Sequence, residues 1–378
     1  MPIYKMDGKK DGKQKYRVRI NYVDNLGKPH QIERVAYGSE EAKQLERELN
    51  YQIKNEKPAA KLTVGELYNE YIKSKKSEVR ETTLEKSKTV LTLHVLPFLS
   101  EYKIEKLTIP VLEEWKRQIE DKDLSIRTRK NIYSDFRTLL NYAVKMEYLQ
   151  KNPLLKVGNF KAPLELKKEM QYYTANEFQS FISAAKTYAE SSELSGSLFD
   201  WNYYVFFCIA FYMGMRKGEI YALQWTDIKD NNLMSITKSI SQKLKGDDRI
   251  TPPKNFSSIR TIEIPSPLVD VLKEHKLRCE TFNDFSETDY ICGGKRSIRD
   301  TTVQNMNDKF AKAAGVKHIR LHDFRHSHAS LLANEGINIQ EVAKRLGHTN
   351  IEITLKTYAH LYPRESERAM NVLNKIKI

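Results

Sequence analysis

The sequence predicts a multidomain, mainly α-helical protein with small β elements. The chain has 378 residues, more than a single hydrophobic core usually organises. Residues 1–57 alternate with period two around a turn, residues 62–155 show helical periodicity, and residues 170–378 mix both patterns. We therefore predict three domains: a small β-sheet with a helix at 1–57, an all-α domain at 62–155 and a mixed α/β domain at 170–378.

The N-terminal domain begins with a predicted hairpin. Alternating segments at 16–22 and 31–37 flank an Asn/Gly/Pro turn, and Ser39 followed by two glutamates is typical of a helix start. Arg17 and Arg19 share one face of the first of these strands. That face is either a solvated basic surface or a surface that contacts DNA.

The all-α domain carries basic residues at its ends. Charges of this kind usually belong to a solvated face, but they equally fit a surface that binds DNA phosphates. The candidates are Lys75, Lys76, Arg127, Arg129 and Lys130.

The charge balance favours a polyanionic partner. The net charge is +14 and the pI is about 9.3, and no run of about 18 apolar residues predicts membrane insertion. Cys208, Cys279 and Cys292 lack CxxC spacing, which is typical of a reducing cytoplasm without a disulfide framework. Nucleic acid is therefore the expected partner.

The stretch RLHDFRHSHAS at 320–330 concentrates the chemistry-bearing residues. His322 and His326 have the i,i+4 spacing of a two-histidine zinc site, but Asp323 stands where the catalytic zinc motif needs glutamate. His322 and Arg325 also share a helical face, and such a pair suits a phosphodiester. A metal site, a phosphate-binding pair and a purely structural helix all remain open from this stretch alone.

Two further segments extend the pattern. In GMRKGEI at 214–220, Arg216 follows a glycine break and Glu219 lies one turn further on. In the stretch from 346 to 360, His348 follows a tight glycine turn and Tyr358 comes ten residues later.

These motifs resemble the tyrosine recombinases of the phage and conjugative-transposon integrase type, similar in architecture to lambda integrase. The matching segments are GMRKGEI at 214–220, LHDFRHSHAS at 321–330 and LGHTNIEITLKTYAH at 346–360. The resemblance implies an arm-binding domain at 1–57, a core-binding domain at 62–155 and a catalytic domain at 170–378. It also implies a site-specific recombinase that integrates or excises a phage or mobile element through a 3′-phosphotyrosyl intermediate and a Holliday junction, without metal or cofactor.

The resemblance assigns a role to each matching residue. Tyr358 would be the nucleophile, Arg216 and Arg325 would bind the non-bridging phosphate oxygens, and Glu219 would orient its neighbours. His322 would accept or assist the tyrosine proton, and His348 would hydrogen-bond the phosphate. His326 and His328 are expected to be packing residues.

A lysine near a β-hairpin would protonate the 5′-oxygen in this family. Lys254, in TPPKN at 251–255, matches that position, whereas Lys238, Lys243 and Lys245 lie nearby in the same region.

The expected partners are double-stranded DNA attachment sites, three further copies of the chain in a tetramer on DNA, and an excision or host accessory DNA-bending protein. An apolar stripe of Ala369, Val372, Leu373 and Ile376 would pack on its own domain or dock on a neighbouring subunit. The bacterial cytoplasm is the expected location. A non-enzymatic DNA-binding regulator and a metal-dependent nuclease are the alternatives.

Overall fold

A computed structural model describes residues 3–23, 29–55, 62–161, 170–242, 249–251, 258–362, 370 and 373–376. The chain divides into two compact units, Met1–Leu166 and Lys167–Ile378. The mainly helical architecture with small antiparallel sheets confirms the predicted fold class. The division of the first unit into domains at 1–57 and 62–155 stays a prediction.

The N-terminal sheet has three antiparallel strands in the order β1 (Ile3–Lys10), β2 (Lys13–Val23) and β3 (Pro29–Tyr37), followed by helix α1 (Ser39–Asn55). Val18 and Ile20 of β2 are buried in a small core with α1, so the alternate residues Arg17 and Arg19 lie on the opposite face. The hairpin of β2 and β3 was predicted, and β1 was not. The sequence of β1 is largely charged and alternates only weakly between polar and apolar residues, and the register of β1 with β2 shifts between Lys5 and Lys9.

The other elements that the structure describes in the first unit are helices. The helices are α2 (Val64–Lys75), α3 (Glu81–His94), α4 (Leu96–Leu99), α5 (Ile109–Glu120), α6 (Ile126–Lys145) and α7 (Leu154–Val157). Thr63 caps α2 reciprocally with Glu66. Trp115 and Phe136 meet edge to face in the core at a centroid distance of 4.9 Å.

The helical periodicity of the first unit is interrupted at Val95, between α3 and α4. Pro97 accounts for the break, because it has no N–H group to donate to the carbonyl four residues earlier and its ring crowds that carbonyl.

In the second unit, helices and two small antiparallel sheets surround a larger core. The described helices are α8 (Ala175–Leu194), α9 (Trp201–Met213), α10 (Lys217–Tyr221), α11 (Ser266–Glu280), α12 (Asp300–Ala314), α13 (Asp323–Asn334), α14 (Ile339–Leu346) and α15 (Ile351–Tyr358). The described strands are β4 (Ile228–Lys229), β5 (Leu233–Ile236), β6 (Ser239–Ser241), β7 (Arg249–Thr251) and β8 (Arg260–Glu263). One sheet has the order β4-β5-β8, and the other pairs β6 with β7. Of the apolar stripe predicted after residue 362, Ala369 and Val372 lie outside the described residues, and Leu373 and Ile376 are exposed.

Helix α9 forms the centre of this core, and Phe207 packs there with Phe181 and Phe324. The helix ends at Gly214, whose φ of +59° is left-handed. A Cβ atom at Gly214 would lie 2.5 Å from Cδ2 of His328, so the end of α9 fits directly against α13.

Across the part of the chain that the structure describes, no helix combines the length and the apolar character needed to cross a membrane.

We expect Gly214→Ala to destabilise the second unit by about 2–4 kcal/mol, because left-handed strain adds to a clash with His328. Gly315 is a matched control: its φ is +65°, it follows α12, and a Cβ there meets nothing within 4 Å. Gly315→Ala should therefore cost only about 1–2 kcal/mol of strain. Urea unfolding of both variants measures the difference, and equal losses would contradict the packing argument.

Candidate functional site

Six of the predicted site residues lie in the second unit, on segments that meet around the start of α10, the start of α13 and the turn after α14. They are Arg216, Glu219, His322, Arg325, His348 and Tyr358. Residues more than 100 positions apart in the chain are in hydrogen-bond contact in this region.

Arg216 lies at the N-terminus of α10, as predicted, directly after the Gly214 turn. Its backbone N–H donates to Oε2 of Glu219 at 3.0 Å, and its Nη1 donates to Oε1 of the same carboxylate at 2.9 Å. Its Nη2 also donates to the carbonyl of Gly347 at 3.4 Å. The side chain keeps 39% of its surface exposed, so the guanidinium remains accessible to an anionic ligand.

Glu219 is almost completely buried and also pairs with Arg260 of β8. Nη2 of Arg260 donates to Oε2 of Glu219 at 3.0 Å, and Nε of Arg260 donates to the carbonyl of Arg345 at 2.7 Å. Burial opposes ionisation of Glu219, but the charges of Arg260 and Arg216 outweigh it and hold the pKa of the carboxyl below its usual range. Glu219 therefore carries a negative charge at neutral pH.

The sequence interpretation missed Arg260, although a signal was present. Ile262 is buried and shares the period-two face of β8 with Arg260, and the alternation of buried isoleucines continues at Ile264, directly after the strand. A cation on the apolar face of an alternating strand must have a partner, because an unpaired buried charge is costly.

Arg325 is a buried cation in the first turn of α13, with 3% of its surface exposed. Its Nη1 donates to the carbonyl of Gly214 at 2.9 Å and its Nη2 to the carbonyl of Leu346 at 2.7 Å. Burial and the nearby Arg216 lower the pKa of Arg325 to about 9, and Glu219 opposes that shift. A guanidinium has five donors, so these two contacts leave capacity for an oxyanion.

His348 follows the left-handed Gly347, as the glycine turn predicted. Its Nδ1 lies 2.7 Å from Oγ1 of Thr354, a fully buried residue that the sequence interpretation did not single out. Partial burial and the charges of Arg325 and Arg216 lower the pKa of His348 to about 4. The imidazole is therefore neutral at pH 7 and can act as a hydrogen-bond partner without adding charge.

His322 immediately precedes α13, whereas the sequence placed it with Arg325 inside one helix. Its ring meets that of His326 edge to face, with centroids 5.1 Å apart. Partial desolvation, together with His326 and Arg325, lowers the pKa of His322 to about 4.

Tyr358 is the last residue of α15 and has 2% of its surface exposed, packed with Ala329, Ala333 and Val342. Its Oη lies 2.6 Å from Nδ1 of His326. Burial raises the pKa of Tyr358 to about 12, although Arg325 opposes the shift.

His326 was expected to be a packing residue, and no sequence signal linked it to a tyrosine 32 positions away. His328 does pack, since its Nδ1 lies 2.8 Å from the carbonyl of Phe211 and its ring fits against Gly214.

Lys254 lies outside the described residues, as do Lys243 and Lys245. Lys238 is described, and its Nζ pairs with Asp227 at 3.0 Å. Among the described residues no group of three or more His, Cys, Asp or Glu side chains has an arrangement that could hold a metal ion.

The basic residues of the first unit differ in their surroundings. Arg17 and Arg19 both pair with Glu33 across the sheet, at 2.9 and 3.1 Å. Arg129 donates to the carbonyl of Lys122, and Lys75 pairs with Glu78. The remaining candidates, Lys76, Arg127 and Lys130, are exposed.

Residues 171–365 match the model of the phage integrase family, and residues 63–120 match that of the phage integrase N-terminal SAM-like domain. The ICEBs1 integrase of Bacillus subtilis is 28% identical over 376 residues, covering 97% of this chain and 98% of the relative. The Tn1549 transposon integrase in complex with a circular intermediate DNA aligns with a TM-score of 0.65 at 20% identity, covering 82% of this chain and 99% of that one. A lambda integrase tetramer bound to a Holliday junction aligns with a TM-score of 0.57 at 17% identity, covering 94% of each chain.

We expect Glu219→Gln to lower the free energy of unfolding by about 3–5 kcal/mol at pH 7, because it leaves Arg260 buried without a counter-charge. Since the pKa of Glu219 is held below its ordinary value of 4.5, the stabilisation is present above that pH and is lost as the pH falls through the folded-state pKa. The difference between variant and parent, measured by urea unfolding, should shrink in acid.

Glu352→Gln is the control for this prediction. Glu352 forms an exposed ion pair with Lys356 at 3.5 Å, so its replacement should cost less than about 1 kcal/mol. A loss at Glu219 no larger than the loss at Glu352 would contradict the assigned role of the buried carboxylate.

Proposed function

Because the chain belongs to the phage integrase family and is a tyrosine-type site-specific recombinase, we propose that Tyr358 is the nucleophile with which it cuts DNA. Its Oη attacks the scissile phosphate, which forms a 3′-phosphotyrosyl bond and releases a 5′-hydroxyl. The new ester retains the energy of the phosphodiester, so rejoining needs no ATP. Membership of this family therefore favours an enzyme over the non-enzymatic DNA-binding regulator, an alternative that the basic charge alone did not exclude.

The convergence of two guanidinium groups on one turn carries the proposal. Arg325 donates to the carbonyl of Leu346 and Arg216 to that of Gly347, the two residues that precede His348. Two guanidinium groups therefore meet the segment that carries His348, so that three groups suited to phosphate oxygens come together. Each such donor supplies about 3–4 kcal/mol of transition-state stabilisation in comparable oxyanion sites.

Glu219 supports this arrangement by orienting Arg216 through two hydrogen bonds. The lowered pKa of His348 keeps its imidazole neutral, so it donates a hydrogen bond to the phosphate without adding to the repulsion between the arginines. Lys254 completes the set as the general acid toward the 5′-oxygen, a role that rests on its match to the family position alone.

The substrate we propose is a pair of double-stranded attachment sites at the ends of a phage or other mobile element. The strands are exchanged through a Holliday junction on which four copies of the chain assemble, as lambda integrase does in the tetramer described above. The reaction takes place in the cytoplasm of a bacterial host, with an excision or DNA-bending protein as accessory partner.

Two N-terminal regions divide the remaining DNA contacts in this proposal. Residues 1–57 bind outlying arm sites through the basic face of β2, and residues 62–155 act with the catalytic domain on the crossover site. Lys75, Lys76, Arg127, Arg129 and Lys130 are the proposed phosphate contacts of the helical region.

The test uses a nicked DNA duplex that contains the attachment site of the mobile element. On this duplex the wild type should form an SDS-resistant protein–DNA adduct. Tyr358→Phe should form none, because it lacks the attacking oxygen. The adduct should form equally well in EDTA, whereas a metal-dependent nuclease would stop cleaving. Denaturing gel electrophoresis measures both results.

Tyr362→Phe is the matched control, because it removes a nearby hydroxyl that donates to the carbonyl of Ile337. It should form the adduct as the wild type does. An adduct with Tyr358→Phe would refute the assignment of the nucleophile.

Arg19→Gln should weaken binding to arm-site DNA about tenfold and reduce the slope of log K against log salt by about one, because one charge-assisted phosphate contact is lost. Arg34 is the control: it pairs in register with Val18 and therefore lies on the opposite face of the sheet. Fluorescence anisotropy at several salt concentrations measures both variants. Equal losses for Arg19→Gln and Arg34→Gln would contradict a specific DNA-binding face.

A further inference from the structure

The hydroxyl of the proposed nucleophile is hydrogen-bonded to a histidine to which the family motif gives no role. Nδ1 of His326 lies 2.6 Å from Oη of Tyr358, and the two ring centroids are 5.8 Å apart. The contact joins α13 to α15. His322, to which the resemblance assigns the tyrosine proton, touches the ring of His326 instead.

The direction of this hydrogen bond follows from the surroundings of both groups. Burial raises the pKa of Tyr358 to about 12, so the phenol keeps its proton. Burial lowers the pKa of His326; Arg325 and Arg320 act in the same direction and Asp323 opposes them. Among the residues that the structure describes, His322 on its own segment and Tyr358 from α15 also face it. The phenol therefore donates, and the neutral imidazole accepts at Nδ1.

We propose that His326 is a catalytic residue whose Nδ1 holds the Tyr358 hydroxyl in the resting enzyme and takes up its proton as Oη attacks the phosphate. This inference rests on the proposed function of Tyr358. The Oη–P bond forms, the bond from phosphorus to the 5′-oxygen breaks, and the phenol proton moves to Nδ1. The 5′-oxygen leaves with a proton from the general acid. In rejoining, the imidazolium returns its proton to Oη.

Neither of the other two histidines of the site fits this role as well. Nδ1 of His348 is engaged by Oγ1 of Thr354 at 2.7 Å. His322 is exposed, and its ring meets the edge or face of the His326 ring, whereas the Tyr358 hydroxyl is hydrogen-bonded to His326. Geometry thus favours the histidine that already contacts the reacting oxygen.

Bound DNA improves the basicity of His326. The cations Arg325 and Arg320 oppose protonation of its imidazole in the free protein. A phosphate bound by Arg325 brings negative charge close to the same imidazole and offsets this repulsion. The proton acceptor therefore becomes a stronger base when the substrate is present.

The test measures single-turnover adduct formation on the nicked duplex between pH 5 and 9 for His326→Asn, His326→Ala and the wild type. Asparagine places an amide oxygen near the position of Nδ1, so it can keep the hydrogen bond but cannot take the proton. The wild-type rate should rise with pH through the ionisation of His326 and then level off. Both variants should be at least 100-fold slower at pH 7, with a rate that keeps rising toward pH 9.

His360→Asn is the matched control, because His360 is an exposed histidine two residues after the nucleophile. It should keep the wild-type rate and pH profile. Thermal unfolding and equilibrium binding of the same duplex show whether the His326 variants are folded and bind DNA.

Recovery of the wild-type rate by His326→Asn would overturn the proposal, since a hydrogen-bond acceptor would then suffice. An unchanged pH profile in His326→Ala would overturn it as well. If the wild type forms the adduct and Tyr358→Phe does not, such results count against His326 alone. An adduct with Tyr358→Phe would remove both the proposed function and this inference.

Nitrogen-15 NMR of labelled histidine gives a readout independent of activity. Tyr358→Phe should shift the Nδ1 resonance of His326, because the hydrogen-bond donor is lost. An unshifted resonance would overturn the proposal, since the contact on which it rests would be absent in solution.

Discussion

The charge balance of the second unit depends on one buried carboxylate, that of Glu219. It contacts Arg216 and Arg260 directly, and its charge also acts on Arg325. Three guanidinium groups held this close together repel one another strongly, since the interior screens charge far less than water does. Glu219 reduces that repulsion without cancelling it. The site therefore keeps an excess of positive charge, which suits a phosphodiester. Burial first, and this charge second, lower the pKa of His322 and His348 and keep them neutral.

The end of helix α9 is part of this site as well as part of the core. The carbonyl of Gly214 accepts from Arg325, and the ring of His328 occupies the space that a side chain at Gly214 would need. The carbonyl of Phe211 contacts the same histidine. The same packing of the end of α9 against α13 therefore terminates α9, places α13 and orients the buried guanidinium of Arg325.

The sequence predicted the parts of the molecule that local patterns determine. Helical periodicity located the helical region at 62–155, and alternation located the hairpin of β2 and β3. The glycines of GMRKGEI and LGHT located two turns that bear site residues. The sequence did not predict contacts between residues that lie far apart in the chain. The contact of His326 with Tyr358 depends on how α13 packs against α15, and that of Arg260 with Glu219 on how β8 meets α10. Of these two contacts, only that of Arg260 had a signal in the sequence, because Arg260 is a cation on an apolar strand face.

The pairing of Arg17 and Arg19 with Glu33 bears on selectivity. The carboxylate of Glu33 pairs with both arginines, so any anion that approaches the sheet must compete with it for them. A phosphate that meets the guanidinium groups in poor geometry gains little over the partner that it displaces. A phosphate in good geometry gains more, because it can form charge-assisted hydrogen bonds in the fork arrangement. In the proposed binding of arm sites, Glu33 would therefore weaken poorly aligned contacts with polyanions and leave well-aligned ones favoured.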